Sequence, residues 1–397
     1  MVAIDEAKRK VVQAGMKLVE SGLIARTWGN VSHRINEDQF VITPSGRNYH
    51  SLTPEDIVTV QIADCSYSGT TKPSSEKGVH AEVYRLFPDI QFVIHTHQEY
   101  ASVISACGLD AIQLEEADPR LADKVICAAY ALPSTKKLRK HVAAALTLSK
   151  GKAVIMKNHG ALCFGIDDEE AFHVALELEK TCENYLIAKY LKLSGTKDAD
   201  PYKMSQFALA ASGAYIDKRT GFSEKNFYHS RRTENGFLLY TDSTEIEIRS
   251  NELHASLPEE AQIYQTIYNQ YRHINHILWN VTPEIQAISN TNIPLKPLLD
   301  DFAQIVGTST KNVENMPSAI TNGLKRASVV FIRNKGALCC GSTEEDAFAV
   351  GMVLEKNSKA HIGASLFGTV KTIRPLESLL MRFVYLKKYS KQVRKRV

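Results

Sequence analysis

Two histidines one residue apart close an apolar run, Phe92-Val93-Ile94-His95-Thr96-His97. In an extended strand alternate side chains share a face, so His95 and His97 point the same way and can grip one ion from a rigid edge. Such a pair is also ordinary polar strand chemistry, and the metal reading rests on what answers it. A second apolar run, Ala153-Val154-Ile155-Met156, passes through Lys157-Asn158 and stops in His159, followed at once by Gly160. Three neutral imidazoles on a rigid sheet, with no fourth protein ligand evident, describe a zinc site that leaves one or more positions open for substrate. A closed structural site would want four ligands, usually cysteines. The seven cysteines do not supply them: none stands in a C-x2-C arrangement, and the one close pair, Cys339-Cys340, is far away in the chain.

Lys72-Pro73-Ser74-Ser75-Glu76 runs into a helical pattern of Val79, Val83, Leu86 and Phe87. Ser74 and Ser75 therefore sit at a helix N-terminus, where unpaired N–H donors and a partial positive charge suit a phosphate. Glu76 then stands in the first turn. It is either a favourable first-turn carboxylate or, about twenty residues ahead of the paired histidines, a group able to fold back beside a metal and move protons. Upstream lie Thr27-Trp28-Gly29-Asn30-Val31-Ser32 and, after a short strand Gln39-Phe40-Val41-Ile42, Thr43-Pro44-Ser45-Gly46. Both carry the residues of a backbone-lined anion pocket, and equally those of plain turns.

The elements that must position these residues are those of an ordinary globular chain. Its 397 residues, 44% of them hydrophobic, suffice for two or three packed domains. Met1 to Gly22 reads as an amphipathic helix with Ala7, Val11, Val12, Met16, Leu18 and Val19 between charges, without the apolar core and cleavage site of a signal peptide. No apolar run reaches membrane-spanning length, which argues against a membrane partner. Unpaired cysteines and no export signal point to a reducing compartment, hence the cytoplasm. The net charge of +4 owes much to the tail, Lys387-Lys388, Lys391, Arg394, Lys395 and Arg396. With no aromatic interleaving and no reader motif, that tail reads as a solvated end and not as a nucleic-acid surface.

Five motifs in this order, Gly29-Asn30-Val31-Ser32, Thr43-Pro44-Ser45-Gly46, Pro73-Ser74-Ser75-Glu76 with His80, His95-Thr96-His97 and Asn158-His159-Gly160, resemble the class II aldolase/adducin family over residues 1 to about 215. The resemblance implies a three-layer α/β/α fold with a mainly antiparallel central sheet; the alternation of strands and helices alone leaves a parallel sheet open. It implies one zinc ion per chain, held by His95, His97 and His159. Asn30, Ser45, Gly46, Ser74 and Ser75 would bind the phosphate of a sugar phosphate, and Glu76 would be the acid/base group, a role that an elevated pKa in a partly closed pocket would favour. The implied function is a zinc-dependent aldolase, a lyase that cleaves a ketose phosphate to dihydroxyacetone phosphate and an aldehyde through an enediolate. Glutamate at position 76 favours aldolase over the family's epimerases, which carry aspartate there. The alternatives are an epimerase or dehydratase sharing the metal site, or a non-catalytic adducin-like binding module. Family aldolases also use a tyrosine from the loop after the paired histidines, where this chain offers Leu114; Tyr130 lies further on and is expected to pack near a strand end, and for a second family tyrosine, from the domain's C-terminal tail, Tyr215 is a weak candidate.

The chain also repeats itself. Glu76 to Ser105 aligns without a gap on Glu260 to Ser289, and Ala153 to Lys180 on Val329 to Lys356, at offsets of 184 and 176. The copy has lost the site: Trp279 replaces His95, Val281 replaces His97, Lys335 replaces His159, and Pro258-Glu259 replaces the serine pair. The expected organisation is two tandem domains, residues 1–220 catalytic and residues 221–397 degenerate, joined through the polar stretch Lys218 to Asn235. By the same resemblance the chain is expected to be a homo-oligomer, two chains completing a pseudo-tetrameric ring or a larger assembly.

Overall fold

The apolar runs that carry the histidines are strands, as their β-branched content demands: β4 (Phe92–Thr96) and β7 (Ala153–Met156) are buried along their whole length. The computed structural model describes residues 3–24, 28–216, 229–241, 244–249, 259–368 and 370–388. Thr27, the junction expected near residue 220, Pro258 and the basic tail beyond Lys388 lie outside the described residues. The described residues divide into two compact units, those of 1–189 together with Lys387 and Lys388, and those of 190–386.

In the first unit β4 and β7 belong to one sheet with β1 (Asn30–Arg34), β2 (Gln39–Ile42), β3 (Val58–Gln61), β5 (Ala111–Asp118), β6 (Ala122–Ala128) and β8 (Gly160–Gly165). The strand order is β3-β2-β1-β4-β8-β7-β6-β5, and every pairing is antiparallel except the parallel β6–β7. One face is covered by α2 (Lys77–Leu86) and α4 (Lys136–Leu148), whose Val79, Val83, Leu138 and Val142 pack on Phe40, Val93, Val154 and Phe164. The other carries α1 (Ile4–Glu20), on β1 and β2, and α3 (Glu99–Ser105), on β7 and β8, with α5 (Asp168–Ser194) tied to the start of α3 through Glu179. α1 turns Ala7, Val11, Ala14 and Leu18 inward, as its amphipathic spacing requires. Each fully buried valine or leucine of these faces contributes roughly 1.5–3 kcal/mol through lost apolar exposure. The expected three layers and mainly antiparallel sheet are therefore what the chain builds.

The second unit repeats the plan. α5 gives way, across residues 195–200, to α6 (Pro201–Ala211), capped by the Asp200 side chain accepting from Lys203 N at 2.8 Å. The second sheet runs β11 (Glu245–Arg249), β10 (Gly236–Tyr240), β9 (His229–Arg232), β12 (His276–Asn280), β15 (Gly336–Gly341), β14 (Val329–Ile332), β13 (Asn312–Val313). Among the described residues this is the first order without a counterpart of β5, and it keeps one parallel pairing, β13 with β14. The copies agree down to individual bonds. Arg34 donates to the carbonyls of Tyr84, Phe87 and Ile90, and Arg232 to those of Tyr268, Tyr271 and Ile274. Asn158 and Asn334 both adopt left-handed backbone, φ 61° and 60°, and each donates its N–H at 3.1 Å to a serine carbonyl, Ser105 and Ser289. Among the described residues no helix is long and apolar enough to cross a membrane.

Candidate active site

His95 is the penultimate residue of β4, His97 follows one residue past its end, and His159 closes the tight turn between β7 and β8. Gly160 makes that turn possible, because a Cβ there would stand 2.2 Å from the Thr96 carbonyl oxygen. The chain leaving His97 is tied down as well. Thr96 Oγ1 donates to Gln98 Oε1 at 2.6 Å, Gln98 Nε2 donates to the Ala175 carbonyl at 3.0 Å, and the Glu179 carboxylate accepts from the N–H groups of Tyr100 and Ala101 at 2.7 and 3.1 Å. So held, the three imidazoles converge. His95 Nε2 lies 3.1 Å from His97 Nε2 and 3.1 Å from His159 Nε2, with ring centroids 4.8–4.9 Å apart. His95 and His159 are buried and His97 is half-buried, so the cluster opens on the His97 side.

Glu76 joins them. Its Oε2 is 2.9 Å from His95 Nε2 and 3.1 Å from His159 Nε2. The residue is the N-cap of α2, one position ahead of the expected first turn, and its N–H donates to Ser74 Oγ at 3.2 Å. Its other oxygen, Oε1, accepts from the Ser134 N–H at 3.3 Å, presented by a left-handed residue (φ 63°) just before α4. Burial alone would push the Glu76 carboxyl up, but the charges and hydrogen bonds of His159 and His95 together outweigh it and hold it well below the usual carboxylate range. This corrects the expected elevation: burial raises the carboxyl, as a partly closed pocket should, but the two imidazoles facing it lower it by more.

The donor set fits a divalent transition metal. His95 Nδ1–H is committed to the Ala161 carbonyl at 2.8 Å, so its Nε2 carries a lone pair. That lone pair faces Glu76 Oε2, another acceptor, at 2.9 Å, an arrangement that a proton or a cation at the centre turns from repulsive to attractive. His95, His97 and His159 offer ligand atoms within 4.8 Å of one another, and all are nitrogen, the softness zinc takes readily.

The five residues expected at the anion pocket come together beside this cluster. Ser45 N donates to the Lys72 carbonyl and Ser74 N to the Thr43 carbonyl, both at 2.9 Å, so the segments of Ser45-Gly46 and Ser74-Ser75 lie side by side, bridged at Pro44 and Pro73. Thr43 is bound in turn to Val31 by its N–H (3.0 Å) and its Oγ1 (3.2 Å), which places Asn30, at the start of β1, against them. Gly29 precedes it with φ 101°, where a Cβ would meet the His95 carbonyl at 2.7 Å. An open pocket bordered by Ser75, Lys77, Ser134, Lys136 and Arg139 adjoins Glu76. Leu114 is half-buried in a strand, β5, where a loop was expected; Tyr130 is half-buried just past β6, and Tyr215 is 72% exposed in the second unit.

Sequence reasoning missed Ser134 and the Ala161 carbonyl. Both act through the main chain, and only the Pro133-Ser134-Thr135 turn ahead of α4 hinted at one of them. In the second unit the corresponding space is filled. Trp279 is buried, donates its Nε1–H to the Lys335 carbonyl at 2.7 Å and lies against Tyr264, while Lys335 Nζ pairs with Glu259 at 2.5 Å.

The family model of the class II aldolase and adducin N-terminal domain matches residues 9–186 and again residues 227–362. Over 187 residues the chain is 33% identical to a 5-deoxy-D-ribulose 1-phosphate aldolase of Bacillus thuringiensis serovar kurstaki, a match spanning 47% of this chain and 87% of that one. Among solved structures it is similar to an L-fuculose 1-phosphate aldolase at 31% identity, covering 46% of this chain and 86% of the other with a TM-score of 0.42. Another, the L-fuculose 1-phosphate aldolase of Thermus thermophilus, is 28% identical over 48% of this chain and 96% of its own, with a TM-score of 0.39.

Proposed function

Since the chain belongs to the family of class II aldolases and adducin N-terminal domains, we propose that its first unit is a zinc-dependent aldehyde-lyase that cleaves a ketose 1-phosphate to dihydroxyacetone phosphate and an aldehyde. The observation that carries this reading is the convergence of three imidazoles on one another, two of them also facing one buried carboxylate oxygen of Glu76, with His95 held in the tautomer that turns its lone pair inward. A relative named as a 5-deoxy-D-ribulose 1-phosphate aldolase supports the substrate class.

Held by His95, His97 and His159, zinc supplies a fixed positive charge that polarises a carbonyl and offsets the negative charge left when the carbon bond breaks. The chain's own groups do the rest. Asn30, Ser45, Gly46, Ser74 and Ser75 offer N–H and O–H donors to the phosphate and fix the substrate's position. Glu76 starts ionised, with Oε1 pinned by Ser134 and Oε2 turned to the imidazoles, a form that the positive charge of a metal held beside it would favour. It accepts the hydroxyl proton of the departing aldehyde half as the carbon bond breaks. It then returns that proton to the carbon left behind, so one ketose phosphate becomes two products with no co-reactant. No Schiff-base lysine is required. We place the enzyme in a homo-oligomer, as the family resemblance implies; a fully active monomer at micromolar concentration in sedimentation would contradict that placement.

Metal analysis tests the site. The purified chain should carry one zinc ion, and His97→Ala should lose metal and lyase activity together; near-normal metal content in that variant would overturn the ligand assignment.

A further inference from the structure

His80 takes no part in the chemistry described so far, yet it is fully buried under it. It stands on α2 one turn after Glu76. Its Nε2 is 2.5 Å from Asn30 Oδ1 and its Nδ1 2.7 Å from Ser32 Oγ, which lies 2.8 Å from the Tyr84 hydroxyl. Asn30 and Ser32 alternate along β1 and share the face toward α2, so one imidazole bridges both. Two proton orders satisfy such a chain. In one, Tyr84 donates to Ser32, Ser32 to His80 Nδ1, and His80 Nε2–H to Asn30 Oδ1, which leaves both Asn30 Nδ2 hydrogens for a ligand. In the reverse order Asn30 would spend an Nδ2 hydrogen on His80 and turn its oxygen to the ligand, an acceptor against an anion. The amide oxygen, not the nitrogen, is the atom placed against His80.

The degenerate unit serves as an internal control. It keeps the serine–tyrosine pair, Ser230 Oγ to Tyr268 OH at 2.8 Å, together with the Arg232 clamp. At the position of His80, 184 residues on, it has Tyr264. The Ser–Tyr pair thus belongs to the scaffold of both copies, whereas the imidazole occurs only in the copy that has the three histidines.

We propose that His80 is a positioning residue: its Nε2–H orients the Asn30 amide so that the Nδ2 donors face the substrate's phosphate. This rests on the phosphate-binding reading of Asn30 given above. The test measures binding of inorganic phosphate to the full-length, metal-loaded chain by calorimetry, with metal content and thermal midpoint recorded alongside. His80→Phe keeps the bulk and removes both hydrogen bonds; phosphate affinity should fall about 10-fold or more, the cost of a lost charge-assisted bond, with one metal ion still bound. His80→Gln, which restores a donor near Nε2, should recover affinity to within about 3-fold of wild type, a rescue that a purely structural role would not produce. Asn30→Asp is the reference and should bind phosphate more weakly than either. If Asn30→Asp loses phosphate and His80→Phe binds it like wild type, the proposal is wrong. If Asn30→Asp itself binds normally, the phosphate reading of Asn30 fails and the proposal with it. Should His80→Phe not fold, His80→Met, a flexible side chain without a donor, carries the test: reduced phosphate affinity supports the role and unchanged affinity overturns it.

Discussion

Gly160→Ala should cost the enzyme its metal before it costs the enzyme its fold. The added Cβ would stand 2.2 Å from the Thr96 carbonyl oxygen, and the start of β8 must retreat by at least 0.8 Å to bring that contact to 3.0 Å. His159, the preceding residue, moves with it, whereas metal–nitrogen distances tolerate only about 0.2 Å. Zinc affinity should therefore fall at least about 10-fold, roughly 1.4 kcal/mol, with lyase activity falling in step. The duplication supplies the matching control. In Gly336→Ala the new Cβ would meet the Asn280 carbonyl at 2.4 Å on a left-handed backbone (φ 97°), a clash of similar size with an added backbone strain, in a unit without the three ligand histidines. Both variants should lower stability by about 1–3 kcal/mol, but only Gly160→Ala should lose zinc in a competition titration with a chromogenic chelator. Zinc affinity in Gly160→Ala within twofold of wild type would refute the reasoning that this contact sets the position of His159.

Two further predictions follow from the same geometry. Glu76→Gln should keep metal and phosphate affinity but lower turnover by at least about 100-fold, since the amide preserves shape and cannot exchange a proton; turnover near the wild-type rate would reduce Glu76 to a helix-cap carboxylate. Burial lowers the His80 pKa from 6.5 to about 3, so the imidazole is buried neutral, and its contribution to stability is fully present above pH 6.5 and is lost as pH falls from there toward 3. Between pH 7 and pH 5 wild type should lose about 2 kcal/mol more than His80→Gln in urea unfolding; equal losses would show that His80 does not titrate with folding.

The parts of the site that follow from periodicity were legible in the sequence. His95 and His97 share a face because a strand repeats every two residues, and His159 is placed by an Asn-His-Gly turn whose glycine leaves room for the Thr96 carbonyl. The fold and the lost ligands of the second unit were legible too, because the chain carries two versions of one pattern. Contacts between distant segments were not. The Ser134 N–H reaches Glu76 across 58 residues and His80 meets Asn30 across 50, and neither leaves a local signal. The depressed pKa of Glu76 escaped for the same reason: burial can be guessed from an apolar neighbourhood, but its reversal depends on which imidazoles face the carboxylate.

The central claim is tested most directly by triose phosphate release. The full-length chain is incubated with a panel of ketose 1-phosphates, and dihydroxyacetone phosphate is followed by coupled reduction, as purified, after chelation and after zinc is restored. The account predicts release from at least one substrate, its loss on chelation and its return with zinc. Absence of release from every ketose phosphate by a zinc-replete chain, or release that persists once the metal has been removed, would contradict it.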